Sequence, residues 1–247
     1  MGISKPFHRN YRMGVVGLSS GYILDPDYAK SPEHYVRSFL LIQEDILRLF
    51  QFIEPSDINL QTYSFRIHEL YMRICIEIEA NFKAIFDENK YSKPERNWNI
   101  IDYKKINKTH HLDEYKVTFP IWSGTRNVFQ PFIEWQSGDS LSWYKDYNAC
   151  KHNRANEMPK ANLCNLLNSF SALFVLLSSQ FYTEAFSPGN ILLALETGAG
   201  YYSGEFGIGD YLMVEFPTWP ENEKYDFDWN ILKSTGDKFA EIDYDTI

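Results

Sequence analysis

Apolar residues recur at three- and four-residue steps in four long stretches of this chain, the spacing that puts them on one face of an α-helix. The first opens at Ser31-Pro32-Glu33, with Ser31 as the expected cap and Pro32 at the first helical position, and runs to about residue 53 through Val36, Phe39, Leu40, Ile46, Leu47 and Phe50. The second, about 60–89, is the most regular: Tyr63, Ile67, Leu70, Ile74, Ile78, Phe82 and Ile85 form its stripe, and Arg66, Glu69, Arg73 and Glu77 occupy another face. The third covers about 140–158, where Pro159 interrupts it, and the fourth about 160–185. The fourth is apolar on most sides, from Leu163 through Phe170 and Leu173 to Leu177, as a central helix would be.

Outside these stretches the period is lost. Residues 1–30 hold several glycines and tyrosines without a repeat and are expected to form an extended arm on the body. Residues 91–139 read as an insertion with a short helical piece (101–106) and a strand-like run (115–122). Tyr201-Tyr202 and 211–216 suggest one or two short strands, and an acidic, aromatic tail follows Pro220. The expected fold is therefore mainly α: a bundle of four long helices with a small α+β insertion and short C-terminal strands. Its divisions are an arm (1–30), a bundle domain (31–200, insertion 91–139) and an extension (201–247). Because apolar residues are sparse and irregular beyond 220, removal of 221–247 is expected to leave a folded body.

Composition changes this picture in three places. Aromatic residues reach 17% of the 247, which favours packing of bulky rings at half-buried seams. The net charge of −9 is concentrated at one end: residues 201–247 hold eleven of the 33 acidic residues against three lysines, so the rest of the chain is near neutral and keeps room for an anion-binding surface. Cys75, Cys150 and Cys164 lie far apart, two of them within apolar helical patterns, which fits free thiols in a reducing compartment. The first residues carry no apolar run, and Pro6 stands where a myristoylation signal needs Ser or Thr. The apolar stretch 170–181 is too short to span a bilayer. A cytoplasmic protein without a membrane role is the expectation.

Two motifs have bland readings. Gly198, Gly200, Gly204, Gly207 and Gly209 follow a helix and precede a strand, the reverse of a nucleotide loop, and read as turn glycines. His110-His111 follows three lysines and reads as a solvated basic patch rather than a metal site. No ligand set for a metal and no cofactor motif emerges, so neither is called for.

The segment from Tyr144 to Arg154 differs. At 100° per residue, Tyr144, Tyr147, Asn148, Lys151 and His152 share an arc of roughly 140°, with Arg154 at its edge. An ordinary bundle helix would place aliphatic residues there. Buried, these side chains require a connected hydrogen-bond network that pins the insertion to the bundle; exposed, they form a basic and aromatic surface.

A long-helix bundle with an Asn-x-x-Lys-His segment at the join of its second helical pair resembles the HEPN superfamily, over about 31–90 and 140–185. That resemblance implies a helical domain of prokaryotic defence or toxin–antitoxin systems, commonly a metal-independent ribonuclease and commonly a homodimer. It assigns His152 to the family histidine and Asn148 to the polar residue before it. The family's arginine has no counterpart, because positions 145–147 are Lys145, Asp146 and Tyr147. The catalytic set it implies is His152, Lys151 and Asn148, with Arg154, Tyr144 and Tyr147 on RNA. His152 would move the proton of a 2′-hydroxyl, and Lys151 or Arg154 would neutralise the phosphate. The competing reading is a catalytically silent interaction protein with a protein partner, using its aromatic surface.

Overall fold

A computed structural model describes residues 2–15, 20–186 and 203–247. The three longest helices are α1 (Pro32–Leu49), α2 (Phe65–Asp87) and α6 (Leu163–Phe181). Between the last two lie α3 (Ile100–His110), α4 (Ser142–His152) and the short α5 (Arg154–Glu157), and a one-turn α7 (Trp229–Leu232) follows near the end. Four short strands, β1 (Lys116–Thr118), β2 (Val128–Phe129), β3 (Glu205–Phe206) and β4 (Met213–Glu215), form one antiparallel sheet in the order β2-β1-β4-β3. The chain is thus mainly helical with a small sheet.

The periodic stretches become helices where end signals agree with the spacing. Ser64 caps α2 by accepting from the Ile67 amide at 3.1 Å, so the helix starts five residues later than its apolar pattern. Ser31 does not cap α1. It sits in the left-handed region (φ 48°) without a side-chain bond to the helix, and Pro32 alone pre-sets the first turn. The third stretch is broken at Asn153, whose φ of −141° is not helical, so α4 is only eleven residues long and α5 is a separate turn.

The core lies where α2 and α6 pack, with α1 and α4 alongside. Ile74, Ile78, Phe170 and Leu173 are fully buried there, and Phe39 of α1 stacks on Phe170 and Phe174 at 5.3 and 5.7 Å. By length and composition α6 could cross a membrane, but it is about 83% buried inside the protein, as a core helix is.

Arm, insertion and extension are not separable layers. Val117 of β1, in the insertion, pairs with Phe129 on one side and with Val214 of the extension on the other. Ile3 and Gly14 of the arm bridge to Tyr225, Phe7 bridges to Ala240, and Lys90 bridges to Asp243. Tyr225, Trp229, Ile242 and Tyr244 are buried, which overturns the expectation that 221–247 is dispensable. Rings need no helical period to dock. Of the glycines, Gly204 (φ +100°), just before β3, and Gly209 (φ +84°), within the β3–β4 turn, take a backbone region that side chains disfavour. Gly198, Gly200 and Tyr201-Tyr202 lie outside the described residues.

His110 is not a solvated basic residue. It is fully buried, with Nε2 2.9 Å from the Arg9 carbonyl and Nδ1 3.2 Å from the Asn10 amide nitrogen. The carbonyl only accepts and the amide only donates, so the ring is held as the neutral Nε2–H tautomer. Burial lowers its pKa to about 3. His111 lies between Glu114 and Glu223, 3.0 Å from each.

Candidate functional site

α4 is anchored on its inner side by rings. The Trp143 indole donates to the Pro131 carbonyl at 2.7 Å, and the Tyr71 hydroxyl of α2 donates to the Trp143 carbonyl. This fixes the rotation of α4 and with it the direction of the polar arc. Tyr144 and Tyr147 are buried and Asn148 is half-buried. Lys151 and His152 reach solvent in the last turn.

The arc divides. Tyr144, Asn148 and Lys151 line a cleft of about 250 Å³, and Tyr147 lies next to them. The Tyr144 hydroxyl donates to Glu79 of α2 at 2.9 Å, and burial and then Glu79 push that phenol's pKa well up. The same two causes, in the same order, raise Tyr147. Lys151 Nζ is 3.3 Å from the Tyr147 hydroxyl and 5.2 Å from its ring centre, a cation–π placement. Asn148 donates back to the Tyr144 carbonyl at 3.1 Å, leaving its side-chain oxygen free to accept.

His152 is outside this group: it is exposed at the end of α4 and is not among the residues lining the cleft. Arg154 is further round, 5.9 Å from the Phe65 ring and close enough to His68 to help lower that histidine's pKa, after burial. The six predicted residues therefore fall into a cleft set (Tyr144, Tyr147, Asn148, Lys151) and an outer pair (His152, Arg154).

The facing wall comes from the 95–99 turn and from α2. Asn99 and Asp102 form a reciprocal capping box at the start of α3. Asp102 also accepts from Tyr91 and Lys93 at 2.7 Å each, and the Trp98 indole donates to the Lys93 carbonyl at 2.7 Å. These bonds hold Arg96 and Trp98 over the cleft, where Glu79, Lys83 and Tyr103 complete its lining. Sequence reasoning missed this wall. One signal was present: Cys75, Glu79, Phe82 and Phe86 follow one another at helical steps, and Glu79 is the carboxylate in an otherwise buried row.

The charges on α4 and α5 are unevenly paired. Asp146 and Glu157 both lie near Lys160, at 3.6 and 2.9 Å. Among the described residues, Lys145, Lys151, Arg154 and, across the cleft, Arg96 have no carboxylate within ion-pair distance. That end of the molecule thus presents exposed cations without an ion-pair partner on a negatively charged protein. Comparison with family models, with curated proteins and with solved structures finds no match to the chain.

Proposed function

We propose that this chain is an RNA-binding protein of HEPN type, a degenerate four-helix bundle built on α1, α2, α4 and α6, of the kind found in prokaryotic defence and toxin–antitoxin systems. The observation that carries the reading is the set of cations at the end of α4 that no carboxylate neutralises, placed beside an aromatic-walled cleft. Single-stranded RNA asks for both: cations along the backbone and flat side chains for unstacked bases.

Metal-independent cleavage is the second part of the proposal. His152 is open to substrate, but a lone histidine supplies only one of the two proton transfers in a phosphodiester cleavage. A homodimer that places two copies of His152 over one RNA supplies both, and Lys151 or Arg154 then stabilises the phosphorane. One observation favours the other reading, a protein-interaction module. Phe52 and Ile58 in the connection from α1 to α2 and Phe65 at the start of α2 are 85%, 90% and 73% exposed, and such a set suits a protein partner.

Fluorescence anisotropy with a labelled single-stranded RNA separates the two readings. Binding is expected at low salt and to fall steeply as salt rises, with Lys151→Ala and Arg154→Ala each reducing the slope of log affinity against log salt by about 1. Absence of RNA binding at low salt overturns the proposal and leaves the interaction module.

A further inference from the structure

The cleft between α2 and α4 contains a carboxylate that no cation pairs. Glu95, at its rim, lies 3.2 Å from Lys83. Glu79, among the described residues, meets no Lys, Arg or His within ion-pair distance and is held by the neutral Tyr144 hydroxyl at 2.9 Å. The Tyr147 hydroxyl bonds the same carboxylate, which offers about four acceptor positions, so two phenols leave about half of them open. The carboxylate is half-buried and faces the cleft, where a ligand's donors can reach its open positions.

The rest of the lining restricts what can bring those donors. Lys83, Arg96 and Lys151 disfavour a cationic ligand. Trp98 is fixed by its indole bond to Lys93 and by an edge contact with Phe86 at 5.2 Å, and with Tyr103 and Tyr144 it gives the cleft flat walls. A fitting ligand is planar, carries two adjacent hydrogen-bond donors and is negatively charged elsewhere. At about 250 Å³ the space is on the scale of one nucleotide, not of a strand.

Guanine is the nucleobase with two adjacent donors, N1–H and the 2-amino group, on its Watson–Crick edge, next to the acceptor O6. Adenine would turn its N1 acceptor toward the carboxylate, and uracil and cytosine each offer a single donor there. We propose that this cleft binds a guanine nucleotide, Glu79 accepting from N1–H and the 2-amino group, Lys151 donating to O6, and Arg96 meeting the phosphate. Asn148, with its side-chain oxygen free, accepts the second proton of the 2-amino group. The proposal deepens the RNA-binding reading and rests on it only where the guanine belongs to an RNA; a free guanine nucleotide carries the same chemistry.

The test uses the full chain. Guanosine, inosine and adenosine monophosphates are titrated by calorimetry, and single-stranded uridine runs with and without one central guanosine are titrated by anisotropy. GMP is expected to bind at least about tenfold more tightly than AMP, because a bidentate pair discriminates by that order. IMP, which lacks the 2-amino group, falls between them. Glu79→Gln keeps an acceptor for Tyr144 and is expected to bring GMP and AMP to within about twofold. The nucleotide series on the unaltered chain needs no variant to fold.

Equal binding of GMP and AMP, with uridine runs bound equally with or without guanosine, overturns guanine recognition and leaves RNA binding standing. GMP preference without any RNA binding overturns the RNA reading and assigns the cleft to a free nucleotide. Binding of neither overturns both.

Discussion

Two polar clusters, one behind α3 and one along α4, look alike in composition and are opposite in state. Behind α3, Arg9, Asn10, Arg12 and His110 are buried and their polar groups meet partners on every side. Arg9 donates to Glu88 at 2.5 Å, to Gln180 at 2.9 Å and to the Lys30 carbonyl at 2.7 Å. Arg12 donates to Asn10 at 3.0 Å, and the Tyr225 hydroxyl donates to the Asn10 carbonyl at 2.7 Å. Along α4, Lys151 has a phenol and a ring, Glu79 facing it from α2 has two phenols, and His152 stands in solvent. Groups that hold a fold are saturated by the chain itself. Groups left with open valence at a concave surface are those a ligand can complete.

The largest effect that this contrast predicts is at Arg9. Its side chain is fully buried and that of its partner Glu88 is 7% exposed. Arg9→Ala would leave a buried carboxylate unpaired, and the expected loss is about 3–5 kcal/mol in urea denaturation. A loss below about 1 kcal/mol would show that the buried cluster is not structural, and the contrast with α4 would collapse.

His110 makes the same point through pH. The unfolded chain takes up its proton near 6.5, whereas the folded protein keeps the ring neutral down to about 3. The unfolded state therefore binds more protons between those values. The stability is fully present above about pH 6.5 and is lost as pH falls toward 3, at about 1.4 kcal/mol per unit inside that window. Ring ¹⁵N–¹H correlation spectra at pH 5 check this directly. One histidine of the six is expected to remain a neutral Nε2–H tautomer that long-range couplings assign to residue 110. If that ring titrates near 6.5, the site is open to water and the buried network does not exist in solution.

The legibility of the two clusters follows from how each is built. α1, α2 and α6 were visible in the sequence because their burial is periodic, and the polar arc of α4 stood out because it breaks that period. The buried cluster was misread at His110 because its partners, Arg9 and Asn10, are about a hundred residues away in an arm with no period of its own. The two central strands were legible as the runs 115–122 and 211–216, but their pairing was not: β1 is three residues long and takes its second neighbour from residues 213–215, so no local pattern announces the partner. The facing wall of the cleft depended on a turn at 95–99 that a capping box and a few hydrogen bonds hold in place. Residues within one turn of a helix can be grouped by arithmetic; residues joined by tertiary packing cannot.

The smallest expected effect on stability carries the most about function. His152 is exposed, ends α4 and makes no side-chain hydrogen bond to the described residues, so His152→Ala is expected to change unfolding free energy by no more than about 0.5 kcal/mol. It is also outside the cleft, so RNA affinity should stay within about twofold of the parent's. Cleavage of single-stranded RNA by the parent in excess chelator, measured on gels against the variant, is expected to be slow and to vanish with the histidine. This combination assigns proton transfer to His152, because neither unfolding nor weakened binding would account for the loss. Cleavage that survives the substitution removes His152 from the reaction, and a parent that binds RNA without cutting it confines the function to recognition by the cleft. A clear fall in melting temperature would instead mean that His152 has partners in solution, and the division of the α4 arc into an inner and an outer set would have to be redrawn.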